Sequence, residues 1–123
     1  MMKKSEAYLL AGQPEITEDV LRKFAHSRSP NLRLRIAEHQ NAPVDVLCEL
    51  ASDGSCEVRL AAVCNDTAPD HLVNTLLNDN DPTVRFELAS NPRIHLWALL
   101  TLAEDENPYV QWRARQTLQR LVH

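Results

Sequence analysis

The stretch Leu76-Leu77-Asn78-Asp79-Asn80-Asp81-Pro82-Thr83-Val84-Arg85 decides how this chain reads. It closes one apolar segment at Leu76 and Leu77, crosses a polar turn, and opens a second segment at Pro82. Asp81 suits a helix N-cap, because its carboxylate accepts backbone N–H groups that the first helical turn leaves orphaned. Pro82 suits the first helical position, where its missing donor is not needed. The stretch therefore predicts helix, turn and helix in quick succession.

The same arrangement returns with a 26-residue period, the separation of Leu32, Val58, Val84 and Val110. The register holds from about Ala7 to Val110 with no insertion or deletion. The next column reads Arg33, Arg59, Arg85, Gln111. Others read Leu21, Leu47, Val73, Leu99 and Phe24, Leu50, Leu76, Leu102. Ser29, Ser55, Asp81 and Asn107 form the N-cap column, followed by Pro30, Cys56, Pro82 and Pro108. These predict B-type helices over 30–39, 56–64, 82–90 and 108–121, preceded by A-type helices over 17–26, 43–52, 69–78 and 95–104.

The two helix types have different faces. In the first A helix, Val20, Leu21, Phe24 and Ala25 fill an arc of about 140°, with Asp19, Arg22, Lys23 and His26 opposite. That predicts an outer layer, wet on one side. In the first B helix, Leu32, Leu34, Ile36 and Ala37 spread over about 200°, leaving Asn31, Arg35 and Glu38 as a narrow exposed strip. That predicts an inner layer. A short helix pair cannot bury its apolar face alone, but a stack can. The expected fold is all-α: a right-handed α-solenoid of short helix pairs. It is expected to be one domain over 1–123, with a partial N-terminal repeat at 4–13, repeats at 14–39, 40–65, 66–91 and 92–117, and a C-terminal cap extension at 118–123.

Composition agrees with this. Apolar residues make up 44% and aromatics only 5%, so Leu, Val, Ile and Ala must build the core. Two glycines are too few for a fold of Gly-rich hairpins or for a Gly-rich phosphate loop. A net charge of −4 disfavours duplex nucleic acid as partner, since its binders carry a basic footprint. No apolar run approaches the roughly 20 residues that span a bilayer, so no membrane partner is expected. Lys3 and Lys4 are followed at once by Ser5 and Glu6 with no cleavage site, which predicts no signal peptide. Three cysteines, an odd number, suit a reducing cytoplasmic location.

The columns resemble HEAT and armadillo repeats, which carry an Asp and, six residues later, an Arg that link neighbouring repeats. The spacing stands here as Asp53/Arg59 and Asp79/Arg85, and is half kept as Ser27/Arg33 and Asp105/Gln111. The short period and Asn91-Pro92 before the next helix are most similar to the bacterial leucine-rich-repeat variant family. The resemblance implies an armadillo-like superhelix and a concave inner surface that holds ligands. It leaves function open, because such repeats serve many roles. Some family members carry an iron–sulfur cluster on a Cys-rich segment that has no counterpart here, so no cofactor is expected.

Arg33, Arg59 and Arg85 fall within the apolar arc of their helices, where an unpaired cation is costly. They are expected to form a structural ladder with Asp53, Asp79 and turn carbonyls rather than a phosphate site, and the ladder is expected to be weakest at its first and last steps. Cys48, Cys56 and Cys64 are eight apart, unlike zinc ligands, and no metal site is expected. His26, His39, His71, His95 and His123 make no ligand pair, and His39 reads as a hydrogen-bonding turn residue. With no nucleophile–base pair, the chain reads as no enzyme.

The departures from the repeat point to function. Leu96, Trp97 and Leu100 stand where earlier repeats place mainly polar residues on the outer face. Either Leu118 and Leu121 fold over them as a cap, or they form a docking surface for a partner or a second copy. Trp112 shares the column of Leu34, Leu60 and Phe86 and is assigned to the core. The exposed B strip offers Arg35, Glu57, Glu87, Tyr109 and Arg113, a mixed surface better suited to a protein or peptide than to a phosphate backbone. The expected function is a non-enzymatic protein-interaction module or adaptor. The alternatives are a HEAT-like nucleic-acid-binding or DNA-repair protein, and a redox or metal-responsive protein using Cys56 at a helix start.

Overall fold

The computed structural model describes residues 2–122, and those residues form nine α-helices, one 3-10 turn and no strand. The chain is all-α. The helices are α1 (Lys4–Ala11), α2 (Glu18–Ala25), α3 (Pro30–Ala37), α4 (Val44–Leu50), α5 (Cys56–Val63), α6 (Asn74–Leu77), α7 (Pro82–Ala89), α8 (Leu96–Leu102) and α9 (Pro108–Val122). Met1 and His123, and the ends of the expected domain and cap that fall on them, lie outside the described residues.

The B-type helices α3, α5, α7 and α9 begin where the Ser/Asp/Asn column places them. Ser29 Oγ accepts from the Leu32 amide at 3.3 Å, Asp81 from the Thr83 amide at 2.9 Å, and Asn107 from Tyr109 at 2.9 Å. Ser55 departs from this: its backbone is extended but its side chain makes no cap bond. Its own amide instead donates to Asp53 Oδ1 at 2.9 Å. That bond belongs to a second column, since the amides of Ser29, Asp81 and Asn107 likewise donate to the side chains of Ser27, Asp79 and Asp105. Each turn is thus tied two residues back before its helix starts.

Among the A-type helices, α2 is capped by Thr17, whose Oγ1 accepts from the Val20 amide at 3.4 Å. The third differs from the expected continuous helix. It opens as a 3-10 turn over Asp70–Val73 and becomes α-helical only at Asn74. The tighter turn still buries Leu72, Val73 and Leu76, so the apolar arc survives the change in winding.

The chain divides into two compact units, Met1–Pro69 and Asp70–His123. In the first, α3 packs against α1, α2, α4 and α5, and Leu21, Ile36, Leu47 and Val58 are fully buried. In the second, α9 lies against α7 and α8, and α6 against α7 and α8, around Leu76, Leu88, Leu99 and Val110. Burying each such aliphatic side chain stabilises by about 1.5–3 kcal/mol. Trp112 does not join this core. It is 54% exposed, while Leu34, Leu60 and Phe86 of its column are half-buried. The column lies on a helix flank, between the buried arc and the open face.

Candidate functional site

Two sets of polar side chains tie neighbouring modules together, and they determine which surfaces remain open. The first runs through the arginine column. Arg33 forks onto Asp53, Nε to Oδ2 at 2.8 Å and Nη2 to Oδ1 at 3.2 Å, while its Nη1 donates to the Ser27 carbonyl at 2.8 Å. Arg85 repeats this geometry on Asp105 and donates to the Asp79 carbonyl. Arg59 donates to the Asp53 carbonyl at 2.8 Å, and Gln111 to that of Asp105. Each arginine therefore takes a main-chain carbonyl from the turn before its own helix. Arg33 and Arg85 add a carboxylate from the corresponding turn of the next module.

At the first step, expected to be weak, Arg33 bonds the Ser27 carbonyl and forks onto Asp53, so the hydrogen bonds seen at Arg85 are all present without an Asp at position 27. The last step differs, since Gln111 keeps the carbonyl bond but has no guanidinium fork. Asp105, which the spacing named only in a half-kept pair with Gln111, is the rung partner of Arg85. The Arg85 and Asp105 side chains are only 9% and 8% exposed, so bidentate pairing there offsets the desolvation of both charges. At Asp53, burial pushes the carboxyl up, but the Arg33 fork, the Ser55 amide and the nearby Arg59 charge outweigh it and hold the carboxyl below its ordinary 3.8.

The second set occupies the column of Gln13, His39, Asn65, Asn91 and Thr117. His39 is buried, with Nε2 2.8 Å from the Gln13 carbonyl and Nδ1 3.0 Å from the Asn41 amide. The amide must donate and the carbonyl must accept, so the ring is neutral with its proton on Nε2. Asn65 Nδ2 donates to the carbonyls of Ala37 and His39, and Thr117 Oγ1 to that of Ala89 at 2.6 Å. Thr117, a buried polar residue within α9, was not singled out in the sequence. Its place one repeat after Asn91 was the available signal.

With these residues committed to structure, the open surfaces follow. The outward faces of α2 and α4 carry ion pairs: Arg22 forks onto Asp45 at 3.2 and 3.1 Å, and His26 Nε2 lies 2.6 Å from Glu49. The Asp45 fork raises the Arg22 guanidinium, and the same fork lowers the Asp45 carboxyl.

Helix α8 is different. Leu96, Trp97 and Leu100 are 59%, 42% and 53% exposed, and Ala98, Leu99 and Leu102 on the opposite arc are buried. Leu118 is half-buried, but Leu121 and Val122 are themselves exposed, so the C-terminal turn of α9 does not cap the α8 face. Trp97 instead lies parallel to the His95 ring, centroids 6.1 Å apart, and His95 Nε2 pairs with Asp70 at 2.9 Å.

The expected B strip is only partly open. Glu57, Glu87 and Tyr109 are exposed, whereas Arg35 and Arg113 are half-buried. Both lie against an aromatic ring of the preceding B-type segment, Arg35 4.5 Å from the centre of Tyr8 and Arg113 5.8 Å from that of Phe86. Arg113 Nε also donates to Ser90 at 2.8 Å. Gly12 permits the first stack, since a Cβ there would collide with the Arg35 guanidinium. These arginines serve packing first and present little free charge.

Cys56 takes the first position of α5, half-buried, and Cys48 and Cys64 are exposed. None of the three forms a disulfide among the described residues. Among the described residues no three His, Cys, Asp or Glu side chains converge as a metal-binding group, and no helix is long and apolar enough to cross a membrane. Comparison with protein-family models, curated proteins and solved structures finds no match for this chain.

Proposed function

We propose that this chain is a non-enzymatic protein-interaction module of the HEAT/armadillo type, its short helix pairs stacking as a right-handed solenoid in the cytoplasm. The observation that supports it most is the uncovered apolar face of α8. Three large apolar side chains on one arc lose hydration only if something covers them, and a rigid helix presents them with little ordering cost. Trp97 is the natural anchor, because tryptophan is the residue type most enriched at binding hot spots and its ring lies parallel to that of His95. The occupant is a partner protein or a second copy of the chain.

The test compares wild type with Trp97→Glu, in affinity capture from the native cell and in sedimentation over a range of concentrations. Trp97→Glu is expected to leave the melting curve unchanged while removing either a captured protein or a concentration-dependent increase in size. A variant that alters neither would end this reading. A nucleic-acid-binding role is disfavoured by the exposed Glu57 and Glu87 on the B strip, and salt-dependent binding to duplex DNA would be its signature.

A further inference from the structure

We propose a second docking face, on α9, whose occupant is an acidic peptide segment bearing an apolar side chain. The inference rests on the reading of the chain as a protein-interaction module and names the partner chemistry for a face separate from that of α8. Charge segregation motivates it. Helix α9 spans Pro108–Val122 and carries Arg113, Arg115 and Arg120, while all 17 carboxylate residues of this net-negative chain lie outside it.

Helical geometry gathers the open side chains. Tyr109, Trp112, Gln119 and Arg120 follow at i, i+3, i+10 and i+11, within about 100° of one face, with half-buried Gln116 between them. Tyr109 and Trp112 are 73% and 54% exposed. The opposite arc of Val110, Ala114 and Thr117 is buried. Arg120 has no ion-pair partner among the described residues, and Arg115 reaches exposed Glu104 only at 4.0 Å. Asp105 and Glu106, the other acidic residues just before the helix, lie 2.8 and 3.9 Å from Arg85.

Beside Tyr109 a cleft of about 330 Å³ opens between α7 and α9, lined by Pro82, Thr83, Phe86, Asn107, Tyr109 and Val110. It accommodates one apolar side chain, and Arg113 stands over Phe86 at its wall. A segment that places a Leu or aromatic residue in this cleft and carboxylates along Arg115 and Arg120 answers both features. Single-stranded nucleic acid also favours aromatic and Arg groups, and competition by an oligonucleotide is therefore one arm of the test.

The test pans a displayed library of random twelve-residue peptides against the full chain. The expected winners are rich in Asp and Glu around one apolar residue. Their affinity is expected to fall about ten-fold or more in Trp112→Ala and in Arg115→Glu/Arg120→Glu, whose melts stay unchanged, and to persist in Trp97→Glu. Winners without acidic bias, winners indifferent to the α9 variants, or displacement of winners by single-stranded oligothymidylate would each overturn the inference. Winners sensitive only to Trp97→Glu would leave the protein-binding reading standing and remove the α9 face. No enrichment at all would remove both.

Discussion

The outward face of α2 and α4 and the outward face of α8 occupy the same columns of the repeat, yet their chemistry is opposite. Arg22 and Asp45 form a forked ion pair, where α8 places Leu100 and Trp97. The inward positions do not diverge, since Leu21, Leu47 and Leu99 are all fully buried. The fold is therefore specified by the inward arc and the polar rungs. The outward arc is under no packing constraint, and there the repeats differ.

That division orders the expected effects. The largest belongs to a rung. Arg85→Ala leaves Asp105 buried without its partner and is expected to cost about 3–5 kcal/mol in a denaturant titration. A loss under about 1 kcal/mol would place the rungs with the dispensable surface and break the comparison. Next comes a pair of adjacent residues on opposite arcs. Leu99→Ala is expected to cost about 2–5 kcal/mol, and Leu100→Ala to fall within about 0.5 kcal/mol of wild type.

Asp53→Asn comes third, at about 1.5–3 kcal/mol near neutral pH, the range for a hydrogen bond to a charged group. Because the folded state holds the Asp53 carboxyl below 3.8, its contribution is complete above the unfolded value and is lost as pH falls through the lower folded value. Wild type should therefore lose stability below about pH 4, and Asp53→Asn should show a shallower acid limb. Arg22→Ala is the smallest. It breaks a solvated, salt-screened pair, and its melting midpoint should match wild type at moderate salt.

Much of the architecture was legible in the sequence because it is local. The N-cap column and the prolines after it placed the starts of α3, α5, α7 and α9, and helical periodicity separated buried Leu99 from exposed Leu100. What was not legible depends on which module lies beside which. Arg33 was expected to pair, but the carboxylate it reaches belongs to the turn of the next module. Arg35 read as free charge on a wet strip and instead lies on Tyr8 of α1. Trp112 read as core because its column mates are apolar, yet they are themselves only half-buried and the Trp ring is 54% exposed. The competition between cap and open face at Leu96, Trp97 and Leu100 turns on where α9 ends, which periodicity does not encode.

The bonds of His39 to Gln13, Asn65 to His39 and Thr117 to Ala89 each reach one module back along the chain. A single-residue insertion within a helix between such partners shifts one against the other and leaves a donor and a carbonyl unpaired, both of them buried at Thr117 and Ala89. Gain or loss of an entire module at once restores every partnership. Within the helices, length changes in whole quanta are therefore the ones that keep the partnerships, and a deletion series scored for folding should show maxima at multiples of the period.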